Sequence, residues 1–137
     1  MIVGIGTDIV SIPRMAALYG RHGERVLEKV LAPLERADCR SAQDAARFLA
    51  KRFAAKEALA KAWGTGLRAP LLLTSIAISH DALGKPLFAW SPELAELLAT
   101  RCWHTHVSLS DERENVVAFV LIEQRAYAPA VHTEPWI

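Results

Sequence analysis

The spacing of hydrophobic and polar positions changes several times along this chain, and each change marks an element. The opening run MIVGIGTDIV is dense in β-branched side chains and reads as a buried strand, with Gly4 and Gly6 allowing another backbone to approach closely. Pro13 suits the first turn of a short helix over about Pro13–Gly20, closed by its glycine. A second helical stretch around Glu24–Leu31 leads to Pro33. Asp44 is placed to cap a long helix from about Ala45 to Trp63, which Gly64 and Gly66 end. Leu71–Ser79 predicts a strand, His80–Pro86 a turn built on Asp81 and Gly84, and Leu87–Trp90 a returning strand. Glu93–Arg101 is a short helix after Ser91 and Pro92, and His104–Ser110 and Val116–Glu123 are strands flanking a hairpin at Asp111–Asn115. Beyond Gln124 the pattern dissolves into RAYAPAVHTEPWI, a flexible or packed-on tail. Strands interleaved with helices, with antiparallel pairing at least at the C-terminal end, define a mixed α and β class.

Length and charge narrow the field. The 137 residues suffice for one domain, and 52% hydrophobic with 23% charged residues is globular usage, which excludes disordered, collagen-like and coiled-coil chains. Sixteen basic against fifteen acidic residues give a formal charge of +1, so a nucleic-acid binder is not indicated and any charged partner must meet a local patch. No apolar run approaches the roughly 18 residues of a membrane span. The first residues show no basic leader region and no cleavage site, so a soluble, cytoplasmic protein is expected. Cys39 and Cys102 are far apart and have no metal-binding spacing, and they read as thiols of a reducing compartment.

The long helix departs from simple amphipathicity. At about 100° per residue, Phe48, Leu49, Phe53, Leu59 and Trp63 spread over one broad face, and Arg52 and Lys56 fall inside it. Glu57 lies beside that face, with Lys61 one turn on. Charges within an apolar arc are costly unless paired or liganded. One reading is snorkelling cations with a Glu57–Lys61 pair; the other is a helix lining a site for an anionic ligand. Asp8, a carboxylate inside an otherwise apolar strand, is either a turn residue or a ligand for a hard cation. Together Asp8 and Glu57 supply two carboxylates for Mg²⁺ if the long helix packs on the first strand. His106 opens HVSLSDE on the same face as His104, and no third ligand accompanies them for zinc. Gly64 and Gly66 let backbone amides approach a phosphate, and Lys85 at the tip of the 81–86 turn is a candidate phosphate contact. On chemistry alone this describes a magnesium-dependent site acting on a phosphorylated ligand.

Four motifs in order, GIGTDIV (4–10), RFAAKEALAKAWGTG (52–66), DALGKP (81–86) and HVSLSDE (106–112), resemble the holo-(acyl-carrier-protein) synthases, the short group of 4′-phosphopantetheinyl transferases. The resemblance spans Met1 to about Glu123 and implies one transferase domain over 1–123 with a tail over 124–137. It implies an α+β fold, a small antiparallel sheet packed with one long and several short helices. It implies transfer of 4′-phosphopantetheine from coenzyme A to a serine of apo-acyl carrier protein, releasing adenosine 3′,5′-bisphosphate and supporting fatty acid biosynthesis. Asp8 and Glu57 match the Mg²⁺ ligands; Arg52, Lys56 and Lys61 match basic residues around the coenzyme A phosphates. Gly64 and Gly66, the Gly84-Lys85-Pro86 turn, and His106 to Ser108 match segments lining the nucleotide. Homotrimers with active sites between subunits are implied as well. Trp63 stands where a smaller aliphatic or Phe is commoner, and the tail is longer than the minimal family pattern.

Lys61 is expected to steady the phosphate oxygens. Three groups compete as base for the carrier serine: Glu57 through a metal-bound water, Asp8 through water, and His106. Carrier proteins are acidic, and Arg14, Arg21 and Arg25 with His22 form a basic patch on the helix that docks the carrier in this family. Arg14 and Arg21 share a face if the helix continues through Gly20. A magnesium-dependent phosphodiester hydrolase, a coenzyme A-binding module without catalysis and a structural assembly protein are the competing readings.

Overall fold

The structure is a computed structural model describing residues 1–130. In chain order it comprises β1 (Ile2–Ser11), α1 (Ile12–His22), α2 (Glu24–Val30), α3 (Pro33–Ser41) and α4 (Ala45–Trp63). A 3₁₀ turn (Leu73–Ser75), β2 (Ile76–His80), β3 (Pro86–Trp90), α5 (Pro92–Arg101), β4 (Trp103–Asp111) and β5 (Asn115–Gln124) follow. The strands form a three-stranded antiparallel sheet in the order β1-β5-β4 and a separate β2-β3 hairpin. In the larger sheet Gly6 pairs with Val120, Asp8 with Ala118 and His106 with Leu121.

Alternation divides the larger sheet into two faces. Val116, Ala118, Val120 and Ile122 of β5 are fully buried beneath α4, whereas Ile5, Ile9, Val117 and Phe119 point the other way and are exposed. The approach of α4 is as close as two glycines permit. A Cβ at Gly4 would stand 2.0 Å from the Ala62 carbonyl oxygen, and one at Gly6 2.0 Å from that of Ala58. Helix α4 also meets α1, α2, α3 and β2, so it is enclosed on nearly every side. Its many alanines follow from that enclosure: Ala50, Ala54, Ala55 and Ala58 are fully buried. Trp63 packs edge-on against Trp103 at 5.1 Å between ring centroids, so β4 receives the large ring.

Enclosure of α4 corrects the expectation for two cations. Lys56 is completely buried and donates to the Val30 carbonyl (2.8 Å), to Glu35 Oε1 (2.7 Å) and to the Leu73 carbonyl (3.0 Å), which uses all three of its protons inside the fold. Arg52 is 8% exposed, lies 3.2 Å from Glu35 Oε2 and stacks on Phe48. Burial pushes the Lys56 pKa down to about 8, against the opposing pull of Glu35. The Glu35 carboxylate also accepts from the Ala32 and Ile78 amides, so it ties α3 to α4 and β2. Arg52 and Lys56 are therefore core residues of this chain, both beside Glu35, whereas the resemblance placed them around the coenzyme A phosphates.

Three element boundaries also differ from expectation. α1 continues through Gly20 to His22, because the break falls at Gly23 (φ +56°). α3 is absent from the pattern reading because PLERADCRS carries few apolar residues, although Pro33 opens it and Glu35 caps back to Ala32. The Leu71–Ser79 strand begins only at Ile76, after the 3₁₀ turn. Of the tail 124–137, Gln124 completes β5, Arg125 donates its amide to the Cys102 carbonyl at 3.1 Å, and residues 131–137 lie outside the described residues. Cys39 and Cys102 are free thiols.

Glu35→Ala leaves the Lys56 ammonium buried without its carboxylate and is expected to cost about 3–5 kcal/mol in urea denaturation. Adding Lys56→Met to Glu35→Gln should recover part of that loss, because the buried ammonium is removed and only the Arg52 guanidinium, stacked on Phe48, is left without its carboxylate.

Candidate active site

From Gly4 to Val10 the even-numbered residues of β1 face α4, so the close approach at Gly4 and Gly6 carries the next inward residue, Asp8, to the helix wall. There Lys61 Nζ lies 3.1 Å from Asp8 Oδ1 and 2.9 Å from the Thr7 carbonyl oxygen. The Asp8 side chain is largely enclosed, while Lys61 is exposed. One turn before Lys61, the Glu57 carboxyl is pushed above its ordinary pKa by burial and then by the negative charge of Asp8, with Lys61 opposing. Two neighbouring carboxylates, with the exposed Lys61 ammonium beside Asp8, are suited to accept a hard cation.

Asp8 and Glu57 stand at one side of a groove of about 610 Å³. Phe53 lies beside them, and α1 and α2 form the opposite wall, with Met15, Leu18 and Val26 as an apolar lining. Arg14, His22, Arg25 and Lys29 supply basic groups to the same groove. Arg21 is exposed on α1 but does not line it. Lys29 was not among the expected residues; its i,i+4 spacing from Arg25 within ERVLEKV was the available signal.

The remaining candidates stand apart from this groove. Gly64 (φ +93°) ends α4 in the left-handed conformation and Gly66 (φ +71°) follows it, both exposed. Lys85 lies in the β2–β3 turn, where Asp81 Oδ1 accepts from the Leu83 and Lys85 amides at 2.9 Å each. Pro86 opens β3. His106 and Ser108 pair with Leu121 and Phe119 on the exposed face of the sheet, opposite to the face from which Asp8 meets α4. One chain therefore brings together Asp8, Glu57, Lys61, Arg14 and Arg25, and separates them from His106, Ser108 and Lys85.

Among the described residues, no group of three or more His, Cys, Asp or Glu side chains could enclose a metal. Asp8 and Glu57 fit the other arrangement, in which one or two carboxylates hold Mg²⁺ and substrate phosphates complete its shell. His104 is committed elsewhere: its Nε2 lies 2.9 Å from the Tyr127 carbonyl oxygen.

An α+β chain with paired carboxylates between its first strand and its longest helix defines a phosphate-handling class, and residues 4–121 match the model of the 4′-phosphopantetheinyl transferase superfamily. The chain belongs to that superfamily. It is 54% identical over 123 residues to a holo-[acyl-carrier-protein] synthase of Dechloromonas aromatica, covering 90% of this chain and 98% of that one. A crystal structure of the holo-[acyl-carrier-protein] synthase from Neisseria meningitidis superimposes with a TM-score of 0.86 at 45% identity, over 90% of this chain and all of the other. The Bacillus anthracis holo-(acyl-carrier-protein) synthase in complex with CoA (3′,5′-ADP) matches with a TM-score of 0.76 at 32% identity, over 91% and 99% of the two chains. Among the described residues, no helix is long and apolar enough to cross a membrane.

Because the native fold raises the Glu57 pKa, it binds more protons than the unfolded chain across the carboxylate window, and stability falls as pH rises through that window. Glu57→Gln should therefore raise the melting temperature at pH 7 without divalent cations. The gain should vanish at acidic pH, where Glu57 is protonated in both states.

Proposed function

We propose that this chain is a holo-[acyl-carrier-protein] synthase: it transfers 4′-phosphopantetheine from coenzyme A to a serine hydroxyl of apo-acyl carrier protein and releases adenosine 3′,5′-bisphosphate, in support of fatty acid biosynthesis. The observation that carries this reading is the Asp8–Glu57 pair at the side of a basic, apolar-lined groove, in a chain 54% identical to a synthase of that name. Residues 1–123 act as the transferase domain, 124–137 are an appended tail, and the protein works in the cytoplasm.

Attack on a pyrophosphate phosphorus is opposed by charge repulsion, so catalysis is mostly positioning and charge stabilisation. Asp8 and Glu57 would hold Mg²⁺, which when bound withdraws charge from the pyrophosphate. Lys61, exposed beside Asp8, steadies a phosphate oxygen. Coenzyme A phosphates also meet Lys85, Pro86 and the amides near Gly64 and Gly66. The apolar-lined groove between α1, α2 and Phe53, about 610 Å³, receives the phosphopantetheine arm, and Arg14 and Arg25 with neighbouring Arg21 attract the acidic carrier.

A homotrimer accounts for two further features. The outer sheet face exposes Ile5 (60%), Ile9 (65%), Val117 (41%) and Phe119 (40%), an apolar surface suited to burial against another copy. His106 and Ser108 share that face, so a copy seated on it would meet them. The candidate acceptors for the serine proton are Glu57 or Asp8 through water, and His106.

Intact-mass spectrometry of apo-acyl carrier protein incubated with this chain, coenzyme A and Mg²⁺ tests the reading. A carrier heavier by one phosphopantetheine, formed only without EDTA, is the expected result; coenzyme A cleaved with the carrier unmodified would point to a hydrolase. In the same assay Glu57→Gln should lose activity by on the order of 100-fold or more, and wild-type turnover would remove Glu57 from the mechanism. Arg14→Glu with Arg25→Glu should raise KM for the carrier by about 10-fold while leaving KM for coenzyme A nearly unchanged, and added salt should weaken the carrier preferentially.

A further inference from the structure

Lys61 does not make the contact that its position on α4 offers first. Glu57 precedes it by four residues, the spacing of a helical Glu–Lys pair. Among the described residues the Lys61 ammonium forms no ion pair with Glu57. It crosses instead to β1, donating to Asp8 Oδ1 at 3.1 Å and to the Thr7 carbonyl oxygen at 2.9 Å. The two ends of this contact differ in freedom. The Lys61 side chain is 56% exposed, whereas that of Asp8 is 17% exposed and stands on a strand that α4 covers closely at Gly4 and Gly6. Parting them therefore moves the lysine and leaves the carboxylate in place. A flexible four-carbon stem lets the ammonium leave Asp8 with no change in the backbone.

The oxygen that Lys61 holds belongs to the carboxylate that a hard cation needs. Mg²⁺ takes its oxygens at about 2.0–2.1 Å, so an ammonium kept on the same carboxylate would leave two cations within a few ångströms of each other. Their repulsion makes Lys61 and the divalent cation alternative partners of Asp8. The other anion suited to the freed ammonium is a phosphate oxygen, which its three donors can meet as a compact point charge.

We propose that Lys61 couples the binding of the divalent cation to that of coenzyme A: it holds Asp8 until the cation displaces it, and the released ammonium then meets the coenzyme A phosphates. The identity of the second ligand rests on the transferase reading; the exchange at Asp8 does not. Bound alone, the cation must part Lys61 from Asp8, and coenzyme A alone must do the same to use that lysine. Bound together, they require that separation only once. Each ligand therefore tightens the other, and by linkage the two factors are equal. An ion pair with one exposed member contributes on the order of 1 kcal/mol, which sets Lys61's share of the coupling at about 5-fold.

The test uses Mn²⁺ as the divalent probe, its free fraction read by electron paramagnetic resonance, with wild type and Lys61→Met, each with and without coenzyme A. Lys61 is exposed, so the substitution leaves the core intact. Lys61→Met should bind Mn²⁺ alone about 5-fold more tightly than wild type, since no ion pair has to part. Coenzyme A should tighten Mn²⁺ in both proteins, because phosphates complete its shell, but by a factor about 5-fold smaller in Lys61→Met. In wild type the Lys61 ¹⁵Nζ resonance should shift on titration with Mg²⁺ alone, and Asp8→Asn should show the shifted position before any Mg²⁺ is added. Unchanged or weaker Mn²⁺ binding by Lys61→Met, or a ¹⁵Nζ resonance indifferent to Mg²⁺, would overturn the exchange at Asp8. An undiminished effect of coenzyme A in Lys61→Met would overturn the coupling. Failure of wild type to modify the carrier would count against the transferase reading instead, and the two failures are told apart because the Mn²⁺ titrations need no carrier.

Discussion

The distance between α4 and β1 is set by two missing side chains. With hydrogen at Gly4 and Gly6, the helix backbone at Ala58 and Ala62 rests directly on the strand, closer than any Cβ would allow. That contact determines where Asp8 and Glu57 meet, since one follows Gly6 along the inward face of β1 and the other precedes Ala58 in the helix. A carboxylate pair carried on two separate elements is only as well defined as the packing between them. Here a strand–helix contact of minimal thickness supplies the definition.

The same closeness makes α4 a central element, and its charges must be satisfied from within. Glu35 meets that need from α3, accepting from Lys56 and two backbone amides. Adjacent residues of one helix thus take opposite assignments. Lys56 anchors the helix to α2, α3 and the turn before β2, while Glu57, about 100° further round, faces the groove. A buried ion pair is a weak source of net stability, but it restricts the rotation of the helix that bears Glu57.

Much of this was legible in the residues. Gly4 and Gly6 announced close approach, Asp44 and Gly64 bounded α4, and an acid within an apolar strand marked Asp8 as unusual. What the residues did not reveal was the burial of Arg52 and Lys56 beside Glu35. Helical periodicity shows that a charge lies in an apolar arc and cannot show what it meets there. The partner, Glu35, sits on a polar helix whose own pattern is faint, 21 residues before Lys56. Alternation correctly placed His104 and His106 on one face, but the contact of His104 with Tyr127 involves a segment without periodicity.

β1 and β5 are the first and last strands and also neighbours, so the beginning and end of the ordered sheet lie side by side. The Met1 ammonium donates to the Gln124 carbonyl at 3.0 Å, and the Gln124 amide donates to the Met1 carbonyl at 2.7 Å. A peptide fused ahead of Met1 would turn that ammonium into an amide that still has one proton to donate, so the pairing survives the fusion. By the same adjacency the chain is suited to circular permutation: a linker over the β1–β5 seam would leave α4, β1 and their shared groove continuous, and new ends opened in the exposed Asp81–Lys85 turn would interrupt no strand.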